Sequence, residues 1–363
     1  MADILQQIIA LEPLARTLFM DEAFQKHRAA FLLVLGTADP ATQDAFYASL
    51  EGGAGSAEEV RAFFVAEMGS AASPTADERC EAEQEVALVF GDVDGQVRDL
   101  EAANALVLTQ VRTYREVLKS SFVRFPGLLS DQRRGIARPP VEKEYDPQAA
   151  LIALPPPTEI VLQKPDILDC IRDRKSRRQY TDQPLSLQEL SYLLWATQGF
   201  RAGTPDRMRS FRTVPSGGAR HPFETYLAVL RVESLAQGIY RYLPLEHKLL
   251  YLFPVEDLPT ALTLGTLDQP FVGRAAVTLI WSAIPYRCEW RYTIEAKKII
   301  LQDSGHPCQN LYLACESIGC GTVAIGAYHQ QLMDRLLQLD GEDEFVIYLA
   351  PVGKVESQAG GER

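Results

Sequence analysis

"GIYRYLPLEHKLLYL", residues 238–252, holds two short runs rich in β-branched, aromatic and leucyl side chains, separated by a break at Pro244 to His247. Two such runs around a turn predict an antiparallel hairpin. Outward from it, "FETYLAVLRV" (223–232) reads as a strand, "AAVTLIWSAI" (275–284) as a buried strand, and "EFVIYLAPVGK" (344–354) as a last strand. Helical patterns interrupt them. Asp166 can cap a short helix carrying Ile167, Leu168 and Ile171. "SLQELSYLLWATQG" (186–199) has Ser186 and Glu189 as a capping box and Gly199 as its stop, and a long helix is predicted over 292–318, ending at Gly319. Helices interleaved irregularly with hairpins favour an α+β layer over a doubly wound parallel sheet.

Upstream the texture differs. Residues 1–134 read as helices only. "DILQQIIALEPLARTLF" sets Ile4, Ile8, Leu11, Ala15 and Leu18 near one face, and "SAEEVRAFFVAEMG" opens with Ser56 and has Glu59 three residues later. The stretch from Glu83 to Phe122 reads as one long helix or as two broken at Gly91 to Gly95. These carboxylates suit solvated helix faces, so a small helical domain for docking or dimer support is expected. A proline-rich linker at 135–165 is expected to run extended over a surface, followed by a core domain at 166–356 and a flexible tail at 357–363.

The 363 residues exceed what one hydrophobic core usually supports, which points to two domains. The formal net charge is −12, and residues 1–134 alone hold 12 Lys and Arg against 21 Asp and Glu, a net −9. An acidic surface argues against nucleic-acid binding, which needs a basic stripe. No apolar run is long enough for a membrane span, and the first residues lack a basic, cleavable leader pattern. Six scattered cysteines form no C-x-x-C pair and no zinc-like spacing. They read as reduced, buried side chains of a cytoplasmic protein, and no metal is expected.

Four stretches carry chemistry. In "DRKSRRQYTDQPLS" (173–186), Arg174, Ser176 and Arg178 alternate, so in an extended strand two guanidinium forks flank a hydroxyl. That set suits a phosphate, although basic residues at a helix C-terminus also suit the helix dipole. "VPSGGARHP" (214–222) pairs two glycines beside Arg220, either for close approach to a ligand or for a plain tight turn. "DSGHPCQNLYL" (303–313) places Gly305 and Pro307 inside the long helix, where they are costly, so close packing is expected there. His306 is an acid or ligand candidate, with a structural role as the plainer option. "GCGTVAIGAY" (319–328) lacks dinucleotide-fingerprint spacing and follows a helix, yet its free amides suit a flavin or phosphate.

Taken in order, "RKSRRQY…PL", "VPSGGARHP", "GIYRY…HKLLYL", "WRY", "DSGHPCQNLYLACESIGCGTVAIGAY" and "IYLAPVGK" resemble the nitroreductase superfamily, and within it the SagB-type dehydrogenases. The resemblance covers about residues 138–355. It implies a nitroreductase-like α+β sandwich built as a homodimer, with FMN at the subunit interface. It assigns the FMN phosphate and ribityl chain to Arg174, Lys175, Ser176 and Arg178, with Lys354 pairing with the phosphate. It brings Pro215, Ser216 and Gly217 to the isoalloxazine with Arg220 nearby, and Gly321, Thr322, Val323, Ala324 and Ile325 to its other edge. Gly305 and Asn310 would lie in the dimer interface.

One departure concerns catalysis. Where azoline-oxidising relatives carry a Lys-Tyr pair, this chain has Arg291 and Tyr292 in "EWRYTIEA". Arginine stays charged and cannot act as a general base, though it can bind or polarise a substrate. Tyr292 remains as acid, base or proton relay. The resemblance therefore implies an FMN-dependent dehydrogenase acting on a peptide- or amino-acid-derived intermediate, with a partner protein docked on the N-terminal domain. A nicotinamide-dependent nitro or quinone reductase and a non-catalytic scaffold are the alternatives.

Overall fold

Near-continuous apolar runs in the predicted strands, such as that at 275–284, fit a sheet covered on both faces, and the computed structural model has that architecture. It describes residues 28–49, 82, 84, 93–120, 122–201 and 211–356. The chain divides into two compact units, Met1–Glu116 and Val117–Arg363.

The first unit holds α1 (Arg28–Thr37), α2 (Pro40–Ser49) and most of α3 (Val93–Leu118). Asp39 starts α2: its carboxylate accepts from the Thr42 amide at 3.0 Å and the Thr42 hydroxyl at 2.6 Å, with Pro40 in the first turn. Phe31, Leu35, Phe46 and Tyr47 are buried between α1 and α2, the two phenyl rings 5.7 Å apart. The helix expected at 4–18 and the Ser56 capping box lie outside the described residues. Of the long helical stretch, α3 runs uninterrupted through Gly95. Residues 85–92, with the expected break at Gly91, lie outside the described residues.

The second unit is built on a seven-stranded sheet of β1 (Leu151–Ala153), β2 (Phe223–Val229), β3 (Gly238–Leu243), β4 (Lys248–Phe253), β5 (Val277–Ala283), β6 (Cys320–Thr322) and β7 (Phe345–Lys354). Their order is β1-β4-β3-β2-β5-β7-β6 and every pairing is antiparallel. The period of two along β2 sends Leu227 and Val229 to one face, Tyr226 and Ala228 to the other. The first face packs against α5 (Leu187–Gln198) and α9 (Ala296–Ser317) through Leu190, Leu194, Trp281 and Leu311. The second packs against α6 (Leu258–Gly265), α7 (Pro270–Gly273) and α10 (Gln330–Leu336) through Leu262, Val272, Ile280 and Met333. Short helices α4 (Ile167–Asp173) and α8 (Tyr286–Tyr292) complete the unit.

The sequence-predicted strands and the α5 capping box occur as expected, with the Glu189 amide donating to Ser186 Oγ at 3.2 Å and the Ser186 amide to Glu189 Oε2 at 2.9 Å. The long helix differs. Thr293, with φ of +48°, breaks the chain after α8, and α9 begins at Ala296 behind a 3-10 turn at Thr293–Glu295. A β-branched residue in left-handed backbone cannot continue a helix.

The proline-rich stretch does more than wrap. Residues 151–153 add to the sheet as β1, beside β4. Further back, Arg212 and Arg241 donate to the carbonyls of Val141 and Lys143, and the Lys143 amide reaches Glu224 Oε1 at 2.8 Å. Lys143 Nζ meets Glu344 Oε2 at 2.6 Å. Glu142 is buried beneath this strap, accepting from the Leu245 amide, and burial pushes its carboxyl up to about 7. Near the other end, Ser191 donates to the Pro155 carbonyl at 2.6 Å, so its oxygen receives the proton of His247 Nε2. His247 Nδ1 then accepts from Tyr242.

Candidate functional site

The basic cluster begins where α4 stops. Asp166 caps that helix by accepting from the Leu168 amide, Arg174 leaves it with ψ of 123°, and residues 174–180 run without helix or strand. Extended backbone lets neighbouring side chains diverge. Arg174 lies over the Tyr312 ring at 5.2 Å, and Ser176 Oγ is 2.9 Å from the Tyr312 hydroxyl. That hydroxyl also accepts from the Ala324 amide at 2.8 Å. Tyr312 of α9 thus ties the basic cluster to the glycine-rich stretch after the helix.

Arg177 turns inward. Its amide donates to the Thr322 carbonyl and its guanidinium to both oxygens of Glu316 at 3.1 Å. Gly321 permits this: a Cβ there would stand 2.7 Å from Arg177 Cδ and 2.6 Å from Val355 Cγ1. Arg174, Lys175 and Arg178 have no carboxylate partner among the described residues. Arg178 instead lies 5.9 Å from the ring of Phe271, so it does not share the Tyr312 position of Arg174 and Ser176. Lys175, Ser176 and Arg178 line a cavity of about 740 Å³, which Thr181, Asp182 and Glu356 also border. Lys354 is not open to that cavity as a bare cation, because its Nζ pairs with Glu189 Oε1.

The amides of 321–325 are less free than the sequence suggests. Ala324 N–H is held by Tyr312 and Ile325 N–H by the Leu349 carbonyl, while Thr322 Oγ1 donates to Pro351 O. Thr322, Val323 and Ile325 are buried.

The second half of the site is the 214–222 turn. Gly218, Ala219 and His221 all have positive φ, at +61°, +52° and +45°. A Cβ on Gly217 would stand 2.5 Å from Ile299 Cγ2, and one on Gly218 would stand 2.4 Å from the Tyr292 hydroxyl. The paired glycines therefore serve close approach, and what they approach within this chain is α9 and Tyr292. Three arginines gather at the same turn. Arg138 donates to the Ala219 carbonyl at 2.9 Å, and Arg220 Nε to the Gly218 carbonyl at 3.1 Å. Arg291 Cζ lies 5.3 Å over the Tyr292 ring. Arg220 is buried over Trp290 at 5.0 Å, and burial, reinforced by Arg138 and Arg291, lowers its guanidinium to about 10.

One helix carries both halves. Ile299 and Asp303 of α9 face the glycine turn, while Tyr312 and Glu316 face the basic cluster, nine residues or about 13 Å further along. Asp303, Tyr312 and Glu316 escaped the sequence reasoning. Asp303 carried a signal: it falls on the buried stripe of Ile299, Ile300, Pro307 and Leu311, where a carboxylate is out of place unless it serves something. Gly305 is exposed, and a Cβ there would meet nothing within 4 Å, so this chain does not itself supply the close packing expected at that position. Asn310 Nδ2 donates to the Ala196 carbonyl.

Among the described residues no cluster of three or more His, Cys, Asp or Glu is arranged to hold a metal, and no helix is long and apolar enough to cross a membrane.

A Methanocaldococcus jannaschii protein that carries the name of a nitroreductase is 34% identical over 203 residues, 56% of this chain and 96% of that one. The microcin B17-processing protein McbC of Escherichia coli is 26% identical over 160 residues, 43% of this chain and 57% of its own length. A crystal structure of a nitroreductase-like protein from Ralstonia eutropha is 27% identical, covers 61% of this chain and all of that one, and superposes with a TM-score of 0.48. The model of the nitroreductase family matches residues 171–354. That span takes in strands β2 to β7, helix α9, the basic cluster, the glycine turn and the stretch after the helix, and the chain belongs to the nitroreductase family.

Proposed function

We propose that this oxidoreductase is an FMN-dependent dehydrogenase of the SagB type, oxidising a peptide- or amino-acid-derived intermediate such as an azoline to an azole. One observation carries the cofactor: Lys175, Ser176 and Arg178 line a cavity of about 740 Å³, Arg174 stands beside Ser176 over the Tyr312 ring, and none of the three cations has a carboxylate partner among the described residues. Cations in that state, next to a hydroxyl donor, fit a phosphomonoester. These four residues would hold the phosphate and ribityl chain. Lys354 would join them only by exchanging its pairing with Glu189 for the phosphate. Pro215, Ser216 and Gly217, with Arg220, would meet the isoalloxazine from the glycine turn, and the stretch from Gly321 to Ile325 from the other side. Bound flavin would supply the hydride acceptor.

The chain's own residues supply the rest. Tyr292 would take or relay the substrate proton, and Arg291, fixed over its ring and permanently charged, would orient or polarise the substrate. A second copy of the chain would complete the site as a homodimer. Exposed Gly305 and the exposed apolar side chains of α4, Ile167, Leu168 and Ile171, favour that arrangement. Residues 1–134 would form a helical domain that receives a partner protein, in a cytoplasmic setting. The identity with McbC supports the azoline assignment.

A second activity, nicotinamide-driven reduction of a nitro compound or quinone, is favoured by the name of the 34%-identical M. jannaschii relative. Purified protein should be yellow and release a phosphorylated flavin on denaturation. Bleaching by an azoline-bearing peptide under anaerobic conditions supports the dehydrogenase, whereas bleaching by NADH or NADPH alone supports the reductase. Protein that stays colourless after FMN addition and gel filtration overturns both and leaves the scaffold.

A further inference from the structure

Asp303 is 4% exposed, on the sheet-facing side of α9, and no lysine or arginine pairs with it. Its carboxylate's hydrogen bonds all go to one turn, and His306 of the same helix stands with Nδ1 4.0 Å from Oδ1. Ser216 Oγ donates to Asp303 Oδ2 at 2.5 Å, and the Gly217 amide donates to both carboxylate oxygens at 3.2 Å. A separation of 2.5 Å fits an O–H···O⁻ bond, in which the carboxylate is the acceptor and Ser216 keeps its proton. Ser216 Oγ in turn accepts from the His221 amide at 2.9 Å, which ties the far end of the turn to the same carboxylate.

Three residues along the helix, hence on the same face, His306 Nδ1 lies 3.1 Å from the Pro215 carbonyl. A carbonyl can only accept, so Nδ1 carries the proton. The residues between, Ser304 and Gly305, take no part in holding the turn. Ile299, one turn earlier, closes against Gly217. The 215–221 turn, with three residues in left-handed backbone, is thus gripped from one helix by a carboxylate acceptor and an imidazole donor.

We propose that Asp303 and His306 are positioning residues that clamp the 215–221 turn to α9 and thereby fix how Ser216, Gly217 and Gly218 face the flavin ring and Tyr292. The proposal rests on the FMN site above for its catalytic meaning, but the clamp itself does not. The basic cluster sits at the other end of α9 and is independent of it, so loosening the clamp leaves the phosphate contacts in place.

The test is Asp303→Asn in the full-length protein, read by amide hydrogen exchange, flavin content and visible circular dichroism of bound FMN. The amide side chain keeps one acceptor and loses the other, so exchange at Gly217 and His221 should quicken about tenfold, while 174–180 stays unchanged. Flavin content should hold, its dichroism should change, and flavin reduction should slow about ten- to a hundredfold. Should the variant fail to fold, Ser216→Ala removes the same short bond from the turn and is expected to give the same pattern. His306→Ala should release the Pro215 end alone, with a smaller effect of the same sign. Folded Asp303→Asn or Ser216→Ala protein with wild-type exchange in 215–221, or with wild-type dichroism and reduction rate, overturns the proposal. Wild-type protein that binds no FMN defeats the flavin assignment instead, and the exchange measurement still decides the clamp.

Discussion

Phe122 meets the ring of Tyr292 edge-on, with centroids 6.1 Å apart and planes at 78°. Phe122 opens the 3-10 turn Phe122–Gly127 that follows α3, and Lys298 of α9 donates to the Leu118 carbonyl at 2.7 Å, a cation on the last turn of that helix. The ring proposed to handle the substrate proton is therefore steadied by residues that precede the family-matched span. Tyr292→Phe should leave flavin content unchanged and slow anaerobic flavin reduction by about 10²-fold. Phe122→Ala should withdraw an aromatic contact of about 1 kcal/mol and give a smaller loss in kcat at equal flavin content. Stopped-flow reduction rates check both, and wild-type rates in Tyr292→Phe would remove that residue from the mechanism.

Arg174 and Arg177, three residues apart, should behave oppositely. Arg174 has no carboxylate partner, so Arg174→Ala should weaken FMN binding by about ten- to a hundredfold with little change in Tm. The Arg177 guanidinium is committed to both oxygens of Glu316, so Arg177→Ala should lower Tm first. Fluorescence titration of apoprotein with FMN, beside thermal melts, separates the two.

Gly218 combines φ of +61° with a Cβ position 2.4 Å from the Tyr292 hydroxyl. Gly218→Ala must adopt left-handed backbone, at about 1–2 kcal/mol, and push the tyrosine aside. Turnover should fall further than Tm predicts, because the displaced group is the proposed acid or base. Retained turnover would show that the Tyr292 position is not critical.

The buried carboxyl of Glu142 sets a pH signature. Its folded value of about 7 lies above the ordinary range near 4.5, so the folded state binds this proton more tightly than the unfolded one. The associated stability is fully present below pH 4.5 and is lost as pH rises through 7. Glu142→Gln should flatten that decline, by about 3 kcal/mol at most between pH 4.5 and 8. Denaturant melts of both proteins across this range supply the difference, and parallel curves would contradict it.

Local rules made much of this fold legible in the sequence. The hairpin at 238–252 follows from two runs of strand-forming side chains around the break at Pro244 to His247, and the α5 capping box from Ser186 and Glu189. β1 was hidden because three residues among prolines carry too little pattern, and its partner β4 is distant in sequence. α6 had a signal in Asp257, whose side chain caps it, and Pro259 in its first turn, but α10 follows His329, which makes no side-chain cap. At the site, residue types announced an anion and a close approach. What they could not announce is that Gly217 and Gly218 approach Ile299 and Tyr292, or that Lys354 has Glu189 beside it. Those are tertiary facts, set by where α9 lies against the sheet.

The strand donated by the linker has a practical corollary for anyone trimming this protein. A fragment cut at residue 171, where the family similarity starts, would bare the outer hydrogen-bonding row of β4, an invitation to edge-to-edge aggregation. It would also strip Lys143 from Glu344 and the Val141 carbonyl from Arg212, orphaning charges inside the molecule. The smallest autonomous form of the sheet domain should thus begin upstream of Val141, some thirty residues before homology alone would place its border.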